Sequence, residues 1–325
     1  MAIIIKTMGK AIPKKVMSNS DFPASLDTSD EWIRSHTGIG SRYIASEEDT
    51  SASLGSEACK EALLNQHKEK YKNLFSAGSQ TAEISDIDLI ICATATAEYQ
   101  GFPSNACLIQ KELDAKKAVC FDLSAACSGF LYAIDTAAAL MERHGWHYAL
   151  VCGSEVLSKI VDWNDRSTCV LFGDGAGAVL LENTFEKNKE GIGSVILGSD
   201  GTGYDALYMG DYLKMNGRTV YNFAVGVITE TVKSLLQKEN MNMEDVDLVV
   251  CHQANARILE AAAKRLGADM NKFVCNMENY GNTSAASIPI TLDDLVLDGR
   301  LKKGMTIITA GFGAGLTWGG AVIRF

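Results

Sequence analysis

Apolar positions along the chain fall into two patterns. Unbroken runs of Val, Ile, Leu and Cys, such as "LIICA", "ALVCG" and "LVVCH", alternate with amphipathic or Ala-rich stretches such as "QANARILEAAAKRLG". Runs with no polar alternation predict strands covered on both faces, and the stretches between them predict the helices that cover those faces. A further Ala/Leu helix is expected after "SAACSGF", with Cys127 among small residues at its start.

The pattern repeats. "DIDLIICATATAE" from Asp86 returns as "DVDLVVCHQANAR" from Asp245, an acidic turn, an apolar strand, a Cys and a helix start. "KAVCFDLSAAC" from Lys117 pairs with "KFVCNMENYGN" from Lys272, which sets Cys120 against Cys275 and Cys127 against Asn282. "FGDGAGAVLLE" from Phe172 pairs with "GFGAGLTWGGAVIRF" from Gly311. Three matches in one order predict two related α/β halves, residues 1–184 and 185–325, parted by the polar stretch after "VLLEN". Two packed halves sharing a central helical layer is the architecture expected. The polar, basic segment 65–83 reads as a helix extension plus a surface loop without chemistry.

Composition narrows the classes. The formal net charge of -10 disfavours nucleic acid as the main partner and leaves anion binding to local basic clusters. The N-terminal "MAIIIKTMGKAIPKK" has neither a signal-peptide core nor a cleavage site, and no apolar run reaches the length of a membrane span, so a cytoplasmic protein is expected. Nine cysteines, most of them inside strand-like runs and without C-x-x-C pairs, predict reduced thiols rather than disulfides or a metal site.

Candidate chemistry gathers at predicted strand ends, where ligands collect in open α/β sheets. Cys127 at a helix N-terminus feels the helix dipole and free N–H groups, which favour a thiolate, and the small neighbours Ala125, Ala126, Ser128 and Gly129 leave the sulfur reachable. His252 directly follows the strand "LVVC", and Asn282 sits in "NYGNTSAAS". Taken singly, these are a buried histidine and a turn residue; together with Cys127 they make a nucleophile with two hydrogen-bonding partners. "GDGAG" at 173–177 lacks the sixth glycine of a dinucleotide loop and reads as a structural turn. "GFGAG" at 311–315 either brings backbone N–H groups to a substrate or is a tight turn. In "DTSDEW" a capping box, Thr28 with Glu31, starts a short helix carrying Trp32, which either packs on its own domain or stacks on a ligand with help from Arg166. Arg257, Lys264 and Arg265 form a basic helix face beside the candidate site.

The motifs "DTSDEWIRSHTGI", "GFPSNAC", "AACSGF", "DRSTCVLFGDGAGA", "HQANARI", "YGNTSAAS" and "GFGAGLTWGGAVIRF", in this order and nearly end to end, resemble the β-ketoacyl-acyl carrier protein synthase III family of condensing enzymes. The resemblance implies a thiolase-like fold in αβαβα layers. It implies that Cys127 takes an acyl group, usually acetyl, from coenzyme A, and that His252 and Asn282 stabilise the enolate formed when malonyl-acyl carrier protein loses carbon dioxide. The backbone N–H groups of Cys127 and Ala314 would hold the acyl oxyanion, and Ala314 stands where a third glycine is common. Carried over residue by residue, Thr28, Trp32, Arg166, Gly217 and Asn255 would bind coenzyme A, with the adenine between Trp32 and Arg166. Arg257, Lys264 and Arg265 would dock the carrier protein, and Phe102 would limit the acyl pocket across a homodimer interface. His36 and Asn222 stand where the family often has Arg and Lys, which weakens one contact to each partner. No cofactor is implied, since the coenzyme A thioester is a substrate. Three other readings use the same residues: a condensing enzyme of specialised metabolism with another primer, a Cys-His-Asn hydrolase, and a non-catalytic acyl-binding protein.

Overall fold

The computed structural model describes residues 2–64, 74, 82–185 and 190–325; of the segment 65–83, all but Leu74, Ala82 and Glu83 lies outside them. Strand β1 (Ile3–Ala11) is followed by a ribbon of β2 (Lys15–Ser18) and β3 (Ser41–Ile44) that brackets helix α1 (Asp30–Thr37) in the chain. Then come α2 (Ser51–Leu64), β4 (Ile87–Ala93), α3 (Asn105–Leu113), β5 (Val119–Leu123), α4 (Gly129–His144), β6 (Tyr148–Glu155) and β7 (Gly175–Asn183). The remainder holds β8 (Gly191–Ser199), the hairpin β9 (Leu207–Met209) and β10 (Leu213–Met215), α5 (Gly217–Glu239), β11 (Leu248–Cys251) and α6 (Ala256–Leu266). It closes with α7 (Met277–Tyr280), α8 (Ser287–Leu297), β12 (Thr306–Gly313) and β13 (Thr317–Arg324).

Two sheets carry the fold, in the orders β1-β7-β6-β4-β5 and β8-β13-β12-β11. They are one plan used twice. In each, two antiparallel pairs are followed by a parallel one, and the parallel β4–β5 pair has its counterpart in a single parallel bridge between Val249 and Phe273. Alternate residues of one strand explain the unbroken apolar runs: Leu89 and Ile91 face one core, while Ile90 and Cys92 face another. The shared core is built on α4 (Phe130, Ile134, Met141) and α8 (Ile288, Leu292), with strands of both sheets around them. Residues of α2 and α3 cover the first sheet's outer face, and residues of α5 and α6 the second's. The order is therefore helix, sheet, helix, sheet, helix, the layering expected.

The register of the repeat differs from the sequence match. The residues preceding α4 and α8 form equivalent 3-10 turns, Ala126–Ser128 and Ser284–Ala286, each opening on a positive φ, 47° at Ala126 and 50° at Ser284. Cys127 is thus equivalent to Ala285, and Asn282 to Ser124. The second half reaches its turn through the single-turn helix α7, and that inserted turn displaces Asn282 from the Cys127 position.

Candidate active site

Cys127 is the middle residue of the 3-10 turn that carries β5 into α4. Gly313, which ends β12, lies against this turn: a Cβ there would stand 2.7 Å from the Cys127 nitrogen, so glycine is required for the Gly-rich loop to approach the thiol's backbone. Cys127 is 8% exposed and lines a cavity of about 590 Å³ together with Leu157, Phe172, Ser284, Ala314 and the β9–β10 hairpin. Burial pushes the Cys127 thiol up to about 12; the Ser284 hydroxyl opposes the shift, and the charge of Glu155 adds to it. The expectation of a thiolate at the helix terminus is corrected: desolvation outweighs the few donors, and the resting group is a neutral thiol.

His252 follows β11, its N–H donating to the Ala310 carbonyl of β12 at 2.8 Å. Its Nδ1 lies 2.7 Å from Ser287 Oγ, and its ring packs edge-on against Phe312 at 5.3 Å between centroids. Burial pushes this imidazole down to about 3, so it is neutral at physiological pH.

Asn282 is held by backbone on both sides, its N–H donating to the Leu171 carbonyl at 2.8 Å and its carbonyl accepting from Gly173 N–H at 3.0 Å. The turn expected at "GDGAG" is confined to Gly173 and Asp174, since β7 begins at Gly175; Asp174 bonds Ala45 and Ser158, and Gly173 leaves room for the Tyr280 carbonyl. The Asn282 Oδ1 accepts from Ser284 N–H at 2.9 Å, which leaves the amide nitrogen as the donor for a ligand.

The three candidates meet on one short segment. The Ser284 hydroxyl lines the cavity beside the Cys127 thiol, the Ser284 N–H donates to Asn282, and Ser287, one turn on, bonds His252. Gly153 on β6 makes room for this segment, since a Cβ there would fall 2.2 Å from the Ala285 carbonyl oxygen. Ser284, Ser287 and Glu155 were not singled out from the sequence. The signals were the two serines of "NTSAAS" and an acid closing the apolar run "VCGSE".

At the outer end, Ser29 rather than Thr28 caps α1, accepting from Trp32 N–H at 3.1 Å. Thr28 Oγ1 is buried without a partner among the described residues. The Arg166 guanidinium lies over the Trp32 ring at 4.9 Å, and His36 stacks on the same ring at 4.4 Å. A ring inserted between Trp32 and Arg166 needs two stacking contacts, roughly 7 Å in all, so the expected adenine slot is closed until Arg166 swings away. A separate groove of about 620 Å³ is lined by His36, Arg218, Asn255, Arg257, Glu260 and Lys264, among others. Asn255 caps α6 and donates to the His36 carbonyl at 3.0 Å. Gly217 begins α5 next to Arg218, and Asn222 is exposed on that helix. Arg257, Lys264 and Arg265 are all exposed on α6; Arg265, about 100° round the helix from Lys264, does not line the groove. Phe102 is 86% exposed on a loop and does not line this chain's cavity.

Five alternating layers made from two copies of one strand order, with a buried thiol at the foot of a central helix, define a thiolase-like protein. Residues 121–201 match the family model for 3-oxoacyl-[acyl-carrier-protein (ACP)] synthase III, and residues 236–325 match that for its C-terminal part. The β-ketoacyl-[acyl-carrier-protein] synthase III of Clostridium acetobutylicum is 44% identical over 98% of this chain and 97% of its own. A β-ketoacyl-[acyl-carrier-protein] synthase III of Bacillus anthracis is 44% identical over 100% and 99%. The crystal structure of 3-oxoacyl-[acyl-carrier-protein] synthase III from Aquifex aeolicus superposes with a TM-score of 0.91 at 41% identity, covering 99% of this chain and 100% of that one. This chain belongs to the β-ketoacyl-acyl carrier protein synthase III family.

Proposed function

We propose that the chain starts fatty acid synthesis by condensing an acyl-coenzyme A primer, acetyl-coenzyme A first among them, with malonyl-acyl carrier protein. Cys127 Sγ attacks the primer's thioester carbonyl, coenzyme A leaves as its thiol, and an acyl-Cys127 thioester remains. Malonyl-acyl carrier protein then enters. Loss of carbon dioxide leaves an electron pair on its α-carbon, the resulting enolate attacks the acyl-Cys127 carbonyl, and the Cys127 thiolate departs from the β-ketoacyl product.

The observation that carries this reading is the convergence of Cys127, Asn282 and a neutral His252 on the Ser284–Ser287 segment. A neutral imidazole whose Nδ1 accepts from Ser287 carries its proton on Nε2, and with the Asn282 amide it supplies two donors for the enolate oxygen. The N–H groups of Cys127 and Ala314 hold the acyl oxyanion in the same reading. Thr28, Trp32, Arg166, Gly217 and Asn255 receive coenzyme A, and Arg257 and Lys264 receive the acidic carrier protein. No cofactor takes part. The setting is the cytoplasm; among the described residues no helix is long and apolar enough to cross a membrane. The exposed Phe102 is covered by a second copy of the chain, and a solution mass of 35.0 kDa at all concentrations, that of the single chain, would remove this part of the reading.

Intact-protein mass spectrometry with a panel of acyl-coenzyme A thioesters tests the chemistry. One acyl adduct is expected on the wild type and none on Cys127→Ala, and the adduct should vanish on adding malonyl-acyl carrier protein as β-ketoacyl product forms. No adduct with any thioester, or equal labelling of the alanine variant, overturns the proposal.

A further inference from the structure

Glu155, the last residue of β6, is fully buried beside the nucleophile. Its Oε2 accepts from Thr96 Oγ1 at 2.6 Å, Thr94 Oγ1 at 3.4 Å and Ala95 N–H at 3.1 Å. Its Oε1 accepts from Ser284 Oγ at 2.9 Å and shares the Ala95 N–H at 3.2 Å. These partners are hydroxyls and one backbone N–H; none is a cation. Burying a carboxylate without a counter-charge is costly, and such groups cluster at functional sites. The titratable groups facing Glu155 are the Cys127 thiol from the turn before α4 and the Cys92 thiol from β4. Asp122 of β5 also bears on Cys92, and its own oxygens are bonded by the N–H groups of Asn105 and Ala106.

The Ser284 hydroxyl therefore bonds a buried carboxylate while lining the same cavity as the thiol that must lose a proton. We infer that Glu155, acting through the Ser284 hydroxyl, receives the Cys127 proton during acylation and returns it to the leaving group. The inference rests on the acyl transfer proposed above. As the bond from Sγ to the thioester carbon forms, the thiol proton passes to Ser284 Oγ, and the Ser284 proton passes to Glu155 Oε1. The carbonyl pair moves onto oxygen and then returns, expelling the coenzyme A sulfur. That sulfur is bonded to the carbon under attack and arrives beside the same hydroxyl, so the proton travels back from Glu155 through Ser284 to it. One proton moves from Cys127 to coenzyme A, and Glu155 ends as it began. Burial lifts Glu155 above its ordinary range, which suits it to accept this proton, and the high-lying thiol needs such a route. Glu155 touches no reacting atom and is a positioning residue.

Single-turnover acylation by acetyl-coenzyme A, read by intact mass from about pH 6 to 9, separates this role from a structural one. The wild-type rate should stay nearly level, because the internal relay, rather than solvent base, takes the Cys127 proton. Glu155→Gln and Ser284→Ala should each be on the order of 100-fold slower near neutrality, with rates climbing about tenfold per pH unit as solvent base replaces the relay. Glu155→Asp should keep part of the level profile. Loss by one factor at every pH, or variants as fast as wild type, overturns the inference. Ser284→Ala leaves Glu155 in place and decides the matter should Glu155→Gln fail to fold. A wild type that is never acylated fails the proposed function instead, which keeps the two failures apart.

Discussion

Moving the His252 imidazole out of water leaves it neutral, and that neutrality has a price in acid. Its folded-state value, about 3, lies below the ordinary 6.5. Above 6.5 both folded and unfolded chains hold the ring uncharged, so it adds no pH dependence there. As pH falls below 6.5 the unfolded chain takes up a proton that the folded one refuses, and stability is lost until about 3. Between pH 7 and 5 this amounts to about 2 kcal/mol. Urea denaturation should show wild type losing about that much more than His252→Gln over the interval, and equal losses would remove the desolvated imidazole as the cause. The same burial acts on Cys127 in the opposite sense, raising the thiol, and this part of the site was misread from sequence. A helix terminus is visible as a string of residues, whereas the depth of the pocket around it is not.

Helix α1 shows how local signals mislead by one residue. "DTSDE" offers two hydroxyls, Thr28 and Ser29, and an acid follows Thr28 at capping-box spacing, yet the chain turns at Ser29 and the helix begins at Asp30. Ser29→Ala should cost about 1 kcal/mol in chemical denaturation, and Thr28→Ala clearly less, because only the first removes a partner from a first-turn N–H. A larger loss at Thr28 would reinstate the capping box. Helix α6 was legible in full: "QANARILEAAAKRLG" has apolar residues at helical spacing, an Asn that caps and a Gly at the left-handed stop. The main strands were legible for a related reason, since burial on both faces leaves no polar residue to interrupt them. The hairpin of β9 and β10 was not, because each strand is only three residues long and half-exposed, too short for any period to show. The displaced repeat register has a similar origin in α7, one helical turn inserted between well-matched strands.

At the scale of the whole molecule, the site joins residues that only topology brings together, and the sequence revealed those members whose motifs were distinctive. Cys127, His252 and Asn282 were found that way; Glu155, 129 residues from its partner Ser284, was not. Net charge is the other whole-molecule property, and it opposes the proposed docking. The chain carries a formal -10, yet the groove gathers His36, Arg218, Arg257 and Lys264 around a single acid, Glu260. An acidic carrier protein thus meets two fields of opposite sign and different reach. At an ionic strength of about 0.01 M the screening length is about 30 Å, and approach feels the net charge as repulsion. At about 0.1 M it is about 10 Å, so distant charges fade while contacts across the groove persist; at 1 M, about 3 Å, both are gone. The KM for malonyl-acyl carrier protein should therefore pass through a minimum at intermediate salt. Arg257→Glu combined with Lys264→Glu should abolish that minimum and leave KM falling steadily as salt screens the remaining repulsion. Steady-state kinetics across ionic strength checks both curves. A wild-type KM that only falls with salt, or a minimum that survives the charge reversal, places carrier docking on some other face of the molecule.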